Sequence, residues 1–266
     1  MKSNYRYIVK AFMAMAVIAG TTSCDDFLDR EPMSSISPET YYSTAAQLEA
    51  NLNDEYPNVL PSFGQWTYGI FGEDKGTDNQ IEVNANDRYT QDRWKVPHSE
   101  SDNWKFERIY RINFFLSEAL PKFGEDMSVS KNTISGSVAT IKHYIGEMYF
   151  LRAYEYFKKL QLFGDFPIID PPLADEMEAL REASKRFPRN EVARFIISDL
   201  DKAYAYMSDV DMATTRINKD AAMLVKSRVA LFEATWLQNF KGTAFVPGGE
   251  GWGMSSQQLP VSERKP

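Results

Sequence analysis

Apolar residues recur every three or four positions in four separate parts of the chain, and this period predicts four α-helices. The first is expected to begin at Pro38, after an N-cap at Ser37. It should end near Glu55, because Pro57 cannot continue a helix. The second opens at Trp104 and has one apolar face, formed by Phe106, Ile109, Tyr110, Asn113, Leu116 and Leu120.

The third predicted helix, at about 130–163, is the longest and carries apolar residues on two faces. One stripe consists of Val138, Ile141, Ile145, Met148, Tyr149, Ala153, Tyr156 and Leu160. The other consists of Phe150, Tyr154 and Phe157. A helix that is apolar on two sides packs between neighbours, so this helix should lie at the centre of the core. Gly164 suits its C-cap, and Pro167 prevents its continuation.

Two further helices are expected to begin near Asn190 and Asn218. Periodicity then disappears, and 242–266 is predicted to be an irregular tail. Successive helices joined by short loops predict an all-α fold over 38–241, a tetratricopeptide-like helical repeat scaffold with long irregular loops. Residues 145–149 (IGEMY) match the Leu-Gly-x-x-Tyr core of that repeat, with isoleucine in place of leucine.

The N-terminus has the pattern of a secretory signal peptide over 1–23. Its uncharged stretch 11–20 would reach roughly 15 Å as a helix, which is too short to span a membrane. The signal ends directly before Cys24, the only cysteine of the chain. This arrangement resembles the lipobox of bacterial lipoproteins, in which the cysteine receives diacylglycerol, although Thr21 stands where leucine is usual.

Lipidation at Cys24 would make 24–37 an extended tether between the lipid and the folded body. The alternative is an ordinary signal peptide followed by a free thiol. A protein with two or three acyl chains stays attached to a membrane without a spanning helix.

The stretch 57–103 shows no sustained helical period, and so long a non-periodic stretch in a compact domain is usually functional. It places aromatic rings among amide, carboxylate and guanidinium groups. Sugars offer a flat C–H face that stacks on aromatic rings, and hydroxyls that need polar partners. The candidate glycan-binding residues are Trp66, Tyr68, Asp78, Asn79, Arg88 and Trp94. The alternative is that these aromatic residues only pin the long loops to the helices.

Composition excludes several other functions. The formal net charge of the 266 residues is −7, which argues against binding to nucleic acid. There are two histidines, far apart in sequence, and no HExxH, CxxC or glycine-rich phosphate loop, so we expect no cofactor and no metal. Aromatic residues make up 14% of the chain, a content that suits both cores and sugar-stacking surfaces.

Five segments in order resemble the SusD/RagB family of outer-membrane lipoproteins of Bacteroidetes. The mature start CDDFLDREP resembles the start of that family. The segments NWKFERIYRINFFL (103–116) and GEMYFLRAYEYFKKLQLFGDFPII (146–169) resemble its Trp–Tyr–x–x–Ile–x–x–Asn and Phe-Leu-Arg-Ala-x-x-Tyr-Phe helices. The segments 189–203 and 217–234 resemble the next two blocks.

The resemblance implies a protein without catalytic residues that captures glycans or other nutrients. It implies a SusC-like TonB-dependent transporter as partner and a location on the cell outer membrane, lipid-anchored and surface-exposed. Members of the family are substantially longer, so we expect this chain to be an N-terminal portion. Two alternatives remain open: a tethered helical scaffold that binds only proteins, and a secreted glycoside hydrolase that uses a carboxylate pair.

Four polar or aromatic residues of the helical regions have structural interpretations. Arg152 occupies a motif place that is structural in the resembled family, so it should be buried and paired with a carboxylate, either Asp165 or Glu155; the alternative is contact with a ligand. Asn113 should be a satisfied core amide that holds a loop. Asp165 is expected to serve a turn before Pro167, and Trp104 is expected in the core.

Overall fold

The computed structural model describes residues 41–61, 103–124, 131–208 and 212–253. Those ranges contain six α-helices and no strand longer than an isolated bridge. The helices are α1 (Ala45–Val59), α2 (Glu107–Phe123), α3 (Val138–Phe163), α4 (Met177–Ala183), α5 (Arg189–Tyr206) and α6 (Lys219–Asn239). The described residues from Tyr42 onward belong to one compact unit. None of these helices is both long and apolar enough to cross a membrane.

The third helix forms the centre of the fold. It packs against α1, α2 and α5, and α5 in turn packs against α6. Ile145 and Leu160 are buried, as are Phe150 and Phe157 on the second stripe. The predicted all-α, tetratricopeptide-like class and the central position of this helix are therefore confirmed.

The first helix differs from the prediction at both ends. It begins at Ala45 because Thr44 and Gln47 form a capping box, in which each side chain bonds the backbone of the other. It continues through Pro57 to Val59. A proline so near the end of a helix removes only one late hydrogen bond, so it does not stop the chain from completing the turn. The predicted first residues, 38–40, lie outside the described residues.

Other boundaries also move. The second helix begins at Glu107 and not at Trp104, and Tyr110 of its predicted apolar face is 52% exposed. The third begins at Val138, although the pattern predicted about 130. Short α4, which has no buried residue, was not predicted, because seven residues carry too little periodicity. The starts of α5 and α6 agree with the prediction, and the Asn218 side chain accepts from the Ala221 N–H as an N-cap.

Gly146 allows α3 and α5 to approach closely. A Cβ at this position would lie 2.8 Å from the Met207 nitrogen and 2.9 Å from the Ala203 carbonyl oxygen. These are backbone atoms of the α5 C-terminus, so they cannot move aside as a flexible side chain would. The glycine of the IGEMY match is therefore explained by packing.

Gly146→Ala is expected to destabilise the protein by about 1–3 kcal/mol, the usual cost of an overpacked core. The sign of the change in stability is informative, because without a clash alanine would stabilise the helix relative to glycine by about 1 kcal/mol. The measurement is urea unfolding followed by circular dichroism. Gly253→Ala is the control, because nothing lies within 4 Å of its added methyl group. A Gly146→Ala variant as stable as the wild type would contradict the close approach.

Candidate functional site

The predicted ligand-binding and lipidation residues lie outside the described residues. This holds for Cys24 and for Trp66, Tyr68, Asp78, Asn79, Arg88 and Trp94. The structure does describe the two ends between which the glycan candidates fall, namely α1 with Leu60 and Pro61 on one side and Asn103 on the other. The candidate site is therefore built from the scaffold that carries those ends.

An aromatic cleft of about 590 Å³ lies beside the start of α2. Its walls come from the segment before α2, from α2, from the loop after α3, and from α4. The lining residues include Trp104, Phe106, Ile109, Tyr110, Pro167, Ile169, Pro172, Leu173 and Leu180. Most of this lining is apolar, and the polar side chains Asp175 and Ser184 also contribute to it.

Rings packed edge to face form the inner side of this aromatic cleft. The centroid of Trp104 lies 4.8 Å from that of Phe163 and 4.9 Å from that of Phe166, with angles of 87° and 68° between the ring planes. The guanidinium of Arg186 lies 4.7 Å from the centre of the Trp104 ring, a cation–π distance. Trp104 packs against these two rings but is only partly buried, so the expectation of a core position is met only in part, and the residue also lines the cleft. Tyr110 lies on the outer side with its ring half exposed.

The loop that forms one cleft wall is fixed by Arg152 at the centre of α3. Its guanidinium donates to both carboxylate oxygens of Asp199, at 2.6 and 2.8 Å, and to Asp170 at 2.7 and 3.3 Å. The predicted burial and carboxylate pairing are confirmed, since Arg152 is 1% exposed. The predicted partners, Asp165 and Glu155, are wrong.

Burial alone would lower the pKa of the Arg152 guanidinium, but the hydrogen bonds and charges of Asp199 and Asp170 outweigh it and raise that pKa above its ordinary value. The guanidinium therefore remains charged in the core. Its Nη1 also donates to the Asn113 side-chain oxygen at 2.9 Å. One arginine thereby joins α2, α3, α5 and the loop that carries Asp170.

Asn113 completes this attachment, as predicted for a core amide that holds a loop. Its Nδ2 donates to the carbonyl of Ile169 at 2.7 Å, and the Ile169 N–H donates to the Tyr156 hydroxyl at 2.9 Å. Asp165 at the start of the same loop accepts from the Arg189 N–H at 2.8 Å and from the Trp252 indole at 3.0 Å. The Asp165 carboxylate therefore binds the start of α5 and a residue beyond α6.

Two consecutive lysines of α3 contact the ends described above. Lys158 donates to the carbonyl of Val59, at the end of α1, and Lys159 donates to the carbonyl of Asn103 at 2.7 Å. Both ammonium groups lie beside the buried Glu155, Lys159 at 3.3 Å from its Oε1 and Lys158 at 3.6 Å from its Oε2. Burial lowers the pKa of Lys158, and the charge of Glu155 opposes that effect. A polar pocket of about 410 Å³ is lined by Asn103, Glu155 and both lysines.

A second buried network joins α1 to the loop before α6, and no sequence pattern predicted it. Glu147 accepts from Arg216 at 2.6 and 2.8 Å and from the Tyr56 hydroxyl at 2.7 Å. His143 lies 3.0 Å from the same carboxylate and 2.9 Å from the Ile217 carbonyl oxygen. The available signal was a glutamate within an otherwise apolar stripe, which indicates a buried partner without identifying it.

Within 41–61, 103–124, 131–208 and 212–253, no group of three histidine, cysteine, aspartate or glutamate side chains could hold a metal ion. The carboxylates that are buried in this part of the fold face arginine, lysine or tyrosine donors. These buried contacts hold the loops against the helices. The aromatic cleft is the exposed surface that the held loops and helices form together.

Comparison with known proteins now gives the family. Residues 26–231 match the SusD-like family profile described as "Starch-binding associating with outer membrane". The chain belongs to this SusD-like family. That match covers all of α1 to α5 and most of α6.

Two curated relatives come from Formosa agariphila. SusD-like protein P2 is 25% identical over 257 residues, which are 92% of this chain and 46% of the relative. SusD-like protein P25 is 25% identical over 231 residues, covering 80% of this chain and 41% of the relative. The chain thus spans less than half the length of these SusD-like relatives.

A solved SusD-like structure is also similar. It is a SusD-like carbohydrate binding protein from Bacteroides fragilis NCTC 9343, at 18% identity and a TM-score of 0.49. The likeness covers 76% of this chain and 40% of that one.

Proposed function

We propose that this SusD-like protein is a cell-surface lipoprotein that binds a glycan or a related nutrient and delivers it to a SusC-like TonB-dependent transporter. Membership of a family described as starch-binding and associated with the outer membrane carries this proposal. The acidic, lipid-tethered body expected from the sequence suits a protein held at a membrane surface by its acyl chains alone.

The lipid anchor of the proposed function is at Cys24. The signal pattern of 1–23 supports it, because this pattern ends directly at the only cysteine of the chain. The SusD-like protein would then be attached to the outer membrane by the modified residue, with 24–37 as a tether.

The proposed ligand contacts lie in 62–102. Trp66, Tyr68 and Trp94 would stack on the apolar faces of sugar rings, while Asp78, Asn79 and Arg88 would bond sugar hydroxyls. The described scaffold supports this proposal by bringing Asn103 next to the aromatic cleft through Trp104. A sugar held by the stretch 62–102 would therefore approach a surface that already carries exposed aromatic and apolar groups. We propose binding without catalysis.

The test is calorimetric titration of the purified protein with neutral and acidic oligosaccharides. The full chain should carry Cys24→Ala for solubility, and binding in the micromolar range is the expected result. Trp66→Ala and Trp94→Ala are each expected to weaken binding about tenfold, since a lost ring contact is worth about 0.5–1.5 kcal/mol beyond its buried area. Tyr204→Ala is the matched control, because this half-exposed ring lies on α5.

Two outcomes would count against the glycan proposal. A wild-type protein that binds none of the oligosaccharides but captures the SusC-like transporter would favour a protein-binding scaffold. Release of reducing sugar from a bound oligosaccharide would identify a hydrolase and would overturn the proposal of binding without catalysis.

A further inference from the structure

We propose that Lys158, Lys159 and Glu155 are positioning residues that fix both ends of the stretch carrying the glycan contacts. The inference rests on the proposed function for its biological role, but its geometry comes from described residues alone. Val59 and Asn103 bracket the stretch on its two sides, and each gives its carbonyl oxygen to one of two consecutive lysines. We call Glu155, Lys158 and Lys159 the lysine anchor.

The lysine anchor is built around a buried negative charge. Glu155 is 4% exposed, and its Oε2 accepts no hydrogen bond within the described residues. The Lys158 ammonium group lies 3.6 Å from its Oε2, and the Lys159 ammonium group lies 3.3 Å from its Oε1. A carboxylate buried in this way requires positive charge beside it, so the glutamate holds both ammonium groups close to one point of α3.

Each ammonium then has donors left for a backbone carbonyl, because a lysine carries three N–H bonds. The carbonyl of Val59 belongs to the last turn of α1, where no later helical N–H is available to it. Arg108 of α2 also donates to the neighbouring carbonyl of Asn58. The last carbonyl oxygens of α1 therefore accept hydrogen bonds from cations of α2 and α3. The carbonyl oxygen of Asn103 accepts one from Lys159.

The consequence concerns the geometry of the stretch between these points. Holding two points of a chain at one place costs conformational entropy. A scaffold that fixes both ends to adjacent residues of its most buried helix removes part of that cost before a ligand arrives. The two lysines would then keep Val59 and Asn103, which precede and follow the proposed glycan contacts in sequence, at one place on α3.

The first test measures the distance between the two ends directly. Pro61→Cys and Lys105→Cys are introduced into the full chain with Cys24→Ala, which otherwise has no cysteine. Both positions are exposed, and spin labels on them report a distance distribution by pulsed electron paramagnetic resonance. We expect one narrow peak, which broadens with Lys159→Met and narrows again with Lys159→Arg. Lys185→Met, which removes an exposed lysine of a surface ion pair, should leave it unchanged.

The second test measures glycan binding in the same variants. Lys159→Met should raise the Kd about tenfold, the loss expected for one charge-assisted hydrogen bond, and Lys159→Arg should restore most of the affinity. Because Lys159→Met could also weaken the fold, binding is compared at a temperature at which circular dichroism shows every variant fully folded. Glu155→Gln provides a second variant that keeps the shape and removes the charge.

The outcomes separate the two proposals. A distance distribution that stays narrow in both Lys159→Met and Glu155→Gln overturns the lysine anchor, whatever the protein binds. A broadened distribution with unchanged glycan affinity overturns its positioning role. A wild-type protein that has a narrow distribution but binds no glycan overturns the proposed function and leaves the lysine anchor in place.

Discussion

Arg152→Met is expected to destabilise the protein by about 3–5 kcal/mol, the cost of leaving a buried carboxylate without its partner. The methionine fills the space of the aliphatic part of the arginine but supplies no donor. Asp199, which is 0% exposed, would then keep only Lys202, whose Nζ lies 3.7 Å from its Oδ1. The loop would also lose the bonds that connect Asp170 to α3.

The measurement is the free energy of unfolding from urea titration at neutral pH. The free energy of unfolding of Arg152→Lys should lie between those of the wild type and Arg152→Met, because lysine keeps the charge but cannot donate in parallel to both oxygens of Asp199. Arg194→Met is the matched control on α5, where Arg194 pairs with Glu191 at the surface, and it should cost less than about 1 kcal/mol. An Arg152→Met variant as stable as the control would show that Asp199 is satisfied without the guanidinium.

Cys24→Ala is expected to abolish membrane attachment, because the thiol that would carry the acyl chains is removed. Each buried methylene contributes about 0.8 kcal/mol, so the loss of two or three chains changes the partition between membrane and water by many orders of magnitude. The described helices offer no segment that could span the membrane instead.

The measurement is fractionation of cells grown with labelled palmitate. The wild-type protein should carry label and sediment with outer membranes, whereas Cys24→Ala should be unlabelled and released. Ser23→Ala is the control, because it keeps a small residue before the cysteine. Retention of unlabelled Cys24→Ala in the outer membrane would show that an uncleaved signal or a protein partner holds it, and the lipid anchor would be rejected.

Much of the helical scaffold follows from local pattern. The stripes of α3 predicted a helix between neighbours, and Ile145 and Leu160 are indeed buried. A period of 3.6 fixes which side chains share a face, so the burial of a long helix can be read without its neighbours. Asn218 was found as the start of α6 for a similarly local reason, since its side chain bonds a backbone N–H three residues on.

Helix ends were less predictable where two signals competed. Ser37 followed by Pro38 has the pattern of a helix start, yet the helix begins at Ala45. The capping box of Thr44 and Gln47 supplies two reciprocal hydrogen bonds at that point. Sequence thus offered two permitted starts, and the structure uses the one at which these two hydrogen bonds form.

The sequence by itself determined the SusD-like resemblance and the helical class, because each depends on neighbouring residues or on an unbroken apolar face. The burial of Arg152 followed from its place in a motif of that family. Only the tertiary structure decided that Arg152 pairs with Asp170 and Asp199. It also decided that Lys158 and Lys159 contact Val59 and Asn103. These contacts join residues that are far apart along the chain. Helix packing alone brings such partners within hydrogen-bond distance, so the sequence around a carboxylate, ammonium or carbonyl group does not indicate which partner it will meet.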